Sequence, residues 1–207
     1  MAKYLVELIG TFFLVTTIGM TVIESGAGSL APLAIASALT AMIYAGGHIS
    51  GAHYNPAVTL AVCMRGKCAL RDVPGYVVAQ LGGAVLAALV VSFLKGSPKV
   101  TAEEIDVTKA LVAEVLFTFA LAYVILNVAT AKATSGNSFY GLAIGLTVLA
   151  GAFAVGDISG GAFNPAVAVG ATVMGLFKVA NIWIYLVGNF GGAALAAIVF
   201  KITHPDD

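Results

Sequence analysis

The sequence predicts an all-α membrane protein with six transmembrane helices and two re-entrant half-helices, arranged as an inverted repeat of three plus three spans. Three observations lead to this fold class. Of the 207 residues, 60% are hydrophobic and 10% charged, and the mean hydropathy is +1.00, whereas about a quarter of a soluble domain is charged. Several apolar runs approach the roughly 20 residues that cross a bilayer. A glycine-rich stretch that ends in Asn-Pro-Ala occurs twice.

Short polar connectors separate the apolar runs. The first run, residues 4–23, is predicted to be a retained span rather than a signal peptide, because it contains Glu7 and lacks a convincing cleavage site. Two shorter runs, 56–64 and 165–177, cannot cross a bilayer, and each begins inside an Asn-Pro-Ala triplet. They are predicted to be half-helices that re-enter the membrane. The remaining spans are predicted at residues 30–45, 73–94, 110–131, 139–155 and 179–202.

The second half of the chain repeats the first. Asn55 and Asn164 are 109 residues apart, and the same offset relates Tyr76 to Tyr185 and Gln80 to Asn189. Near the start of each half, Glu7 and Glu114 are related by an offset of 107 residues. Because each repeat contains an odd number of spans, the second repeat enters the membrane from the opposite side. We therefore expect a single domain over residues 1–207, with repeat one at about 1–97 and repeat two at about 105–207.

The duplicated stretch has the composition of a helix start. Asn is a favoured N-cap residue, and Pro is favoured at the first helical position because its missing N–H costs nothing there. The triplets are Asn55, Pro56 and Ala57 in the first copy, and Asn164, Pro165 and Ala166 in the second. The glycine-rich runs before them, 46–54 and 156–163, are predicted to be non-helical, and such backbone is tolerated at membrane depth only in a protein interior or along a water-filled path. Two helix N-termini meeting there repel cations and admit neutral molecules.

Taken together, the motifs GHISGAHYNPAV (residues 47–58) and GDISGGAFNPAV (residues 156–167) resemble the paired motifs of the aquaporins, the major intrinsic protein family. The resemblance covers essentially the whole chain. It implies six helices and two half-helices around a pore in each protomer, assembly as a homotetramer, and passive flux of water or small neutral solutes.

The same resemblance implies a constriction near the outer mouth of the pore, at Ile35, Ala152, Gly161 and Val167. Water-specific members have an aromatic residue, a histidine, a small residue and an arginine at these positions. All four are apolar here, and Val167 replaces the arginine. Since pore diameter and lining polarity decide what passes, we expect glycerol, with urea as a further candidate, to pass as well as water. The alternative is a strictly water-selective channel.

Four polar residues are expected to support the loops. Glu7 and Glu114 lie within apolar runs, where ionisable groups are functional candidates by default; their symmetric placement favours hydrogen bonding to loop amides over a proton relay. His48 and Asp157 occupy equivalent repeat positions and are expected to bond loop backbone. His53 is interpreted as a hydrogen-bonded loop histidine rather than a metal ligand or pH sensor.

Other classes of function have less support. The basic and acidic residues balance at net charge zero, which argues against nucleic-acid binding, and neither a metal site nor a cofactor is indicated. An ion-coupled secondary transporter also uses inverted repeats and broken helices, but the breaks here offer few carboxylates. An intramembrane enzyme with Ser50 or Ser159 as nucleophile is disfavoured, because each serine has a twin in the other repeat.

The predicted location is a lipid bilayer, which the chain crosses several times. Placing both termini in the cytoplasm puts six of the basic residues inside and four outside, so the positive-inside rule favours cytoplasmic termini by a small margin. The sequence does not distinguish a plasma membrane from an internal one.

Overall fold

The computed structural model describes residues 1–24 and 26–207; Ser25, in the connector after the first span, lies outside the described residues. Over this part of the chain, six helices are long and apolar enough to cross a membrane, and no strand is present among the described residues. The predicted all-α membrane architecture is confirmed. The long helices are α1 (Ala2–Val22), α2 (Ala31–Ser50), α4 (Val73–Leu94), α5 (Val107–Ile125), α6 (Tyr140–Ser159) and α8 (Ile182–Thr203).

Two short helices begin at the Asn-Pro-Ala triplets, as predicted. Helix α3 spans Pro56–Met64 and helix α7 spans Pro165–Val173, nine residues each. The end of α3 matches the sequence prediction, whereas α7 stops four residues before the predicted residue 177. The physical reason is Gly175, whose φ of 80° lies in the left-handed region that ends helices. At about 1.5 Å per residue, each half-helix reaches roughly halfway across a bilayer.

The glycine-rich runs before the triplets are more helical than predicted, and this expectation was wrong for most of their length. Helix α2 continues through residues 46–50 and helix α6 through residues 156–159; each ends at a glycine with φ near 85°, Gly51 and Gly160. Within α2 the glycines permit close packing rather than break the helix: a Cβ at Gly46 would overlap the Tyr54 hydroxyl. Only residues 51–54 and 160–163 are irregular.

The helices pack as two similar groups. Helix α1 lies against α2 and α4, and α5 lies in the same way against α6 and α8. Glycines allow the closest approaches: a Cβ at Gly83 of α4 would lie 2.5 Å from the Leu8 carbonyl oxygen of α1. Each half-helix packs most extensively on the opposite repeat, α3 on α8 and α7 on α4. The half-helices therefore tie the two repeats together.

The two ends of the chain lie on the face from which α3 enters. The Lys3 Nζ is 2.7 Å from Asp72 Oδ2, just before α4, and Asp207 Oδ2 is 3.3 Å from Arg65 Nη2, just after α3. Six crossings return the chain to its starting side, so this arrangement fits the even number of spans.

One departure from repeat symmetry occurs in α5. The helix is regular to Ile125 and continues as a π-helical turn, Leu126–Thr130, whereas α1 is regular along its whole length. Single π-helical turns in α-helices are rare in proteins as a whole. Where they do occur, they are often found at functional sites.

Candidate functional site

The two asparagines cap the half-helices as the sequence predicts. Asn55 Oδ1 accepts from Ala57 N at 2.8 Å, and Asn164 Oδ1 accepts from Ala166 N at 2.9 Å. Each oxygen also lies 3.4 Å from the next backbone nitrogen. The asparagine backbone is extended at both positions, the usual geometry of an N-cap.

The asparagine amide groups also join the two repeats. Asn55 Nδ2 donates to Phe163 O at 2.8 Å, and Asn164 Nδ2 donates to Tyr54 O at 2.9 Å. An amide nitrogen carries two hydrogens, so one remains on each asparagine. Both asparagines line the same cavity. The remaining amide hydrogen of each asparagine is therefore available as a hydrogen-bond donor, one from each helix start.

The first irregular loop is held by the Glu7 carboxylate, which is fully buried. Its Oε1 accepts from the Ser50 hydroxyl at 2.7 Å and from His53 N at 2.9 Å. Its Oε2 accepts from Tyr54 N at 2.6 Å and from Gln80 Nε2 at 2.8 Å. Four donors satisfy the carboxylate, which is the condition for burying a charge.

The second loop repeats this arrangement around Glu114. Its Oε1 accepts from the Ser159 hydroxyl at 2.8 Å and from Ala162 N at 2.9 Å. Its Oε2 accepts from Phe163 N at 2.8 Å and from Asn189 Nδ2 at 2.6 Å. The bonds to loop backbone that the sequence predicts for both glutamates are present.

The loop serines act on the backbone. Ser50 Oγ accepts from Ala52 N at 3.0 Å, and Ser159 Oγ accepts from Gly161 N at 3.1 Å, while both hydroxyls donate to the glutamates. Neither hydroxyl contacts a histidine among the described residues. Both hydroxyls are used to shape the loops, and the carboxylate that accepts from each serine is also held by three other donors.

Bulky side chains fix the loop residues just before the asparagines. Tyr54 and Phe163 have φ values of 51° and 48°, a left-handed conformation that is uncommon for aromatic residues. Both rings are buried; the Tyr54 hydroxyl donates to Met42 O at 2.8 Å, and the Phe163 ring packs against Phe117. The strained conformation directs each carbonyl to the opposite asparagine.

His48 and Asp157 do not have the predicted role. Both lie on helices, α2 and α6, rather than in the irregular loops, and both side chains are exposed. Neither makes a side-chain hydrogen bond to any residue in the part of the chain that the structure describes. The prediction failed because the two helices extend further than the glycine-rich sequence suggests. Asp157 does line the large cavity.

The four constriction candidates line one cavity together with both asparagines. This large cavity has a volume of about 700 Å³, and its wall includes Ile35, Ala152, Gly161 and Val167. A Cβ at Gly161 would lie 3.6 Å from the Ala152 Cα. None of these four residues has a polar side chain.

A small cavity of about 350 Å³ opens on the side of the termini, with Lys3, Asp72, Tyr76 and Thr130 among its lining residues. Residues of α5 that were not predicted as site residues also line these cavities: Leu121 and Ile125 line the large cavity, and Ile125 and Ala129 line the small one. They recur at a spacing of four residues, but no polar group distinguishes them from the rest of the apolar helix.

Over the described residues, no group of three or more His, Cys, Asp or Glu side chains is placed to hold a metal ion. Cys63 and Cys68 are not joined in a disulfide.

Comparisons with known proteins agree over nearly the whole chain. Residues 1–200 match the family model described as "Major intrinsic protein". Aquaporin NIP1-1 of Oryza sativa subsp. japonica is 37% identical over 211 residues, covering 97% of this chain and 73% of that protein. Glycerol uptake facilitator protein-like 6 of Lactiplantibacillus plantarum is 36% identical over 217 residues, covering 100% of both. The X-ray structure of the aquaglyceroporin from Plasmodium falciparum matches with a TM-score of 0.83 and 25% identity, over 99% of this chain and 97% of that chain.

Proposed function

Because the chain belongs to the major intrinsic protein family, we propose that it conducts water and small neutral solutes such as glycerol passively across a membrane, with urea as a further candidate. Members of this family are channels and not enzymes, and the chain is a multi-pass integral membrane protein. The observation that carries the proposal is the meeting of two capped helix N-termini in one cavity.

The six residues of the two triplets form the proposed barrier to ions: Asn55, Pro56, Ala57, Asn164, Pro165 and Ala166. Each half-helix N-terminus carries the equivalent of about half a positive charge, and the two face the same space. A cation that enters this space loses part of its hydration shell and is repelled by the partial positive charges of the two helix N-termini. A neutral molecule loses less hydration and gains a donor from each asparagine amide. The same electrostatics oppose proton passage.

We propose that Ile35, Ala152, Gly161 and Val167 form the outer constriction of this channel. Small apolar side chains at this level leave room for the carbon backbone of glycerol and place no fixed charge or donor in its way. The names of two similar proteins, a glycerol uptake facilitator protein-like and an aquaglyceroporin, support a polyol as cargo. A strictly water-selective channel and an ion-coupled transporter are the competing outcomes of the test.

The assembly, the orientation and the repeat boundaries are further parts of the proposal. We propose a homotetramer with a pore in each protomer, both termini in the cytoplasm, and repeats at about residues 1–97 and 105–207 within one domain. Glu7 and Glu114 have the proposed task of holding the two loops, as the four donors around each carboxylate support. Cytoplasmic termini put Lys67 and Arg71 on the inner face, in agreement with the positive-inside rule.

Stopped-flow measurements on proteoliposomes test the function. Water, glycerol and urea permeabilities are measured in the same vesicle preparation, with protein-free vesicles as the baseline, and are repeated under imposed proton and sodium gradients. We expect water and glycerol fluxes above the baseline and insensitive to both gradients. Glycerol flux at the baseline beside rapid water flux would establish water selectivity, and gradient-dependent flux would establish a coupled transporter.

A further inference from the structure

We infer that the upper limit on solute size is set at a neck between the two cavities, formed by His53 and Ile125, which is narrower than the proposed outer constriction. This inference rests on the proposed channel function and assigns its selectivity to two residues on the inner side of the asparagine pair.

The cavity walls locate the neck. The large cavity continues past Val167 and the other three outer positions, past both asparagines, and ends at His53 and Ile125. The small cavity begins at the same two residues and opens toward the termini. Among the described residues, these two alone belong to both linings. The two cavities therefore meet at His53 and Ile125, which is the position of the neck.

The His53 ring is held rigidly in this position. Its Nδ1 lies 3.1 Å from Thr59 Oγ1, its backbone N–H donates to Glu7 at 2.9 Å, and its ring packs on Tyr76 with 4.8 Å between ring centroids. The side chain is 8% exposed. Because the ring is bonded to Thr59 and packed on Tyr76, and its backbone is held by Glu7, it does not move aside for a passing solute and its edge sets a fixed width.

The hydrogen bonds of Thr59 also define which ring nitrogen of His53 carries the hydrogen. The Thr59 hydroxyl donates to Asn55 O at 3.0 Å and accepts from Gln80 Nε2 at 3.0 Å. Its remaining lone pair accepts from His53, so Nδ1 carries the hydrogen and Nε2 is an acceptor. Nε2 makes no hydrogen bond to any of the described residues, so it is available to accept from a solute hydroxyl.

Ile125 forms the opposite wall. It is 8% exposed and is the last residue of regular α5, directly before the π-helical turn. Ile125 lines both the large and the small cavity, so its side chain lies where the two meet. Its wall is apolar, opposite the polar edge of His53.

The repeat symmetry explains why this neck occurs on one side of the asparagines only. The twins of His53 and Thr59 in the second repeat are Ala162 and Ala168. The second loop therefore has neither the ring nor the hydroxyl that holds it, and the large cavity stays open on that side.

The test compares Ile125→Ala with Ile144→Ala. Ile144 is buried to a similar degree, 5% exposed, and lines the large cavity only. Water, glycerol and erythritol permeabilities are measured in vesicles with equal amounts of folded protein. We expect Ile125→Ala to raise the ratio of erythritol to glycerol permeability by about tenfold, the discrimination that a methylene gives in an apolar site, and Ile144→Ala to leave this ratio unchanged.

Two additional variants keep the test decisive. Ile125→Val shortens the side chain by one carbon, is tolerated better than Ala in a packed interior, and is expected to shift the ratio in the same direction by a smaller factor. Ile125→Phe is expected to lower glycerol flux more than water flux. Equal ratios in the Ile125 and Ile144 variants would overturn the neck. Failure of the wild-type protein to conduct either solute would instead overturn the proposed function.

Discussion

Replacing Glu114 with Gln tests whether the buried carboxylates support the loops or take part in transport. The carboxylate has two donors on each oxygen, and one donor on each is a loop backbone amide: Ala162 N on Oε1 and Phe163 N on Oε2. A glutamine has only one oxygen. In either orientation of its amide group, the NH₂ faces one of these two N–H groups, so one backbone donor loses its acceptor.

The expected loss can be worked from these contacts. A buried donor without an acceptor costs about 1–3 kcal/mol. The remaining hydrogen bonds change from charge-assisted to neutral and become weaker, but the variant no longer buries a charge. Together these two effects lower the free energy of unfolding by about 1 kcal/mol. We therefore expect Glu114→Gln to lower the free energy of unfolding by about 3 kcal/mol, while Glu114→Ala, which removes all four acceptor contacts, lowers it further.

The measurement is unfolding in mixed detergent micelles by titration with sodium dodecyl sulfate, followed by far-ultraviolet circular dichroism. Glu104→Gln is the matched control, because its side chain is 86% exposed and its partner Lys178 lies at the surface. The control is expected to unfold at the wild-type midpoint. Solute and proton fluxes are measured for each variant in vesicles, normalised to folded protein.

One result would refute the structural role. If Glu114→Gln unfolds at the wild-type midpoint while its proton permeability changes, the carboxylate acts on protons in transit, and the four donors around it do not determine loop stability. Unchanged flux per folded molecule, together with the predicted destabilisation, is what loop support requires.

Three other predictions concern packing, selectivity and capping. Gly192→Ala places a methyl group against Val115 O and is expected to lower the free energy of unfolding by about 1–3 kcal/mol. Gly191→Ala is the control, because nothing lies within 4 Å of a Cβ added there. Equal stabilities of the two variants would contradict the packing. Val167→Arg is expected to reduce glycerol flux more than water flux in stopped-flow assays, and an equal loss of both would place residue 167 away from the constriction. Asn164→Ala removes a helix cap and a bond between the loops, and is expected to lower the free energy of unfolding by about 2 kcal/mol. Asn181→Ala is the control, because the Asn181 side chain at the start of α8 makes no cap hydrogen bond.

The sequence predicts those features that depend on local composition. Bilayer-length apolar runs identify the spans, and Asn-Pro at positions 55 and 164 identifies helix starts, because capping is a property of neighbouring residues. The duplicated glutamates identify the loop supports, since a repeated charge in an apolar run needs donors nearby.

Features that depend on tertiary packing were not predictable. Residues 46–50 are helical despite two adjacent glycines, because the space above Gly46 is filled by Tyr54 from the following loop. The predictions for His48 and Asp157 were wrong because helices α2 and α6 continue through residues 46–50 and 156–159. The neck at His53 depends on Ile125, which is distant in sequence and has no polar group to mark it. A single sequence does not reveal which residue of an apolar stripe faces a cavity.

The bonds from Asn55 to Phe163 O and from Asn164 to Tyr54 O have a consequence for biosynthesis. When a ribosome has completed the first repeat, the acceptor for Asn55 has not yet been synthesised, and the Tyr54 carbonyl has no donor. The first re-entrant loop therefore stays incomplete until the second is translated and inserted. A chain that ends between the repeats leaves these polar groups unpaired at membrane depth, where each unsatisfied group is costly. The first loop therefore reaches its folded form only together with the second.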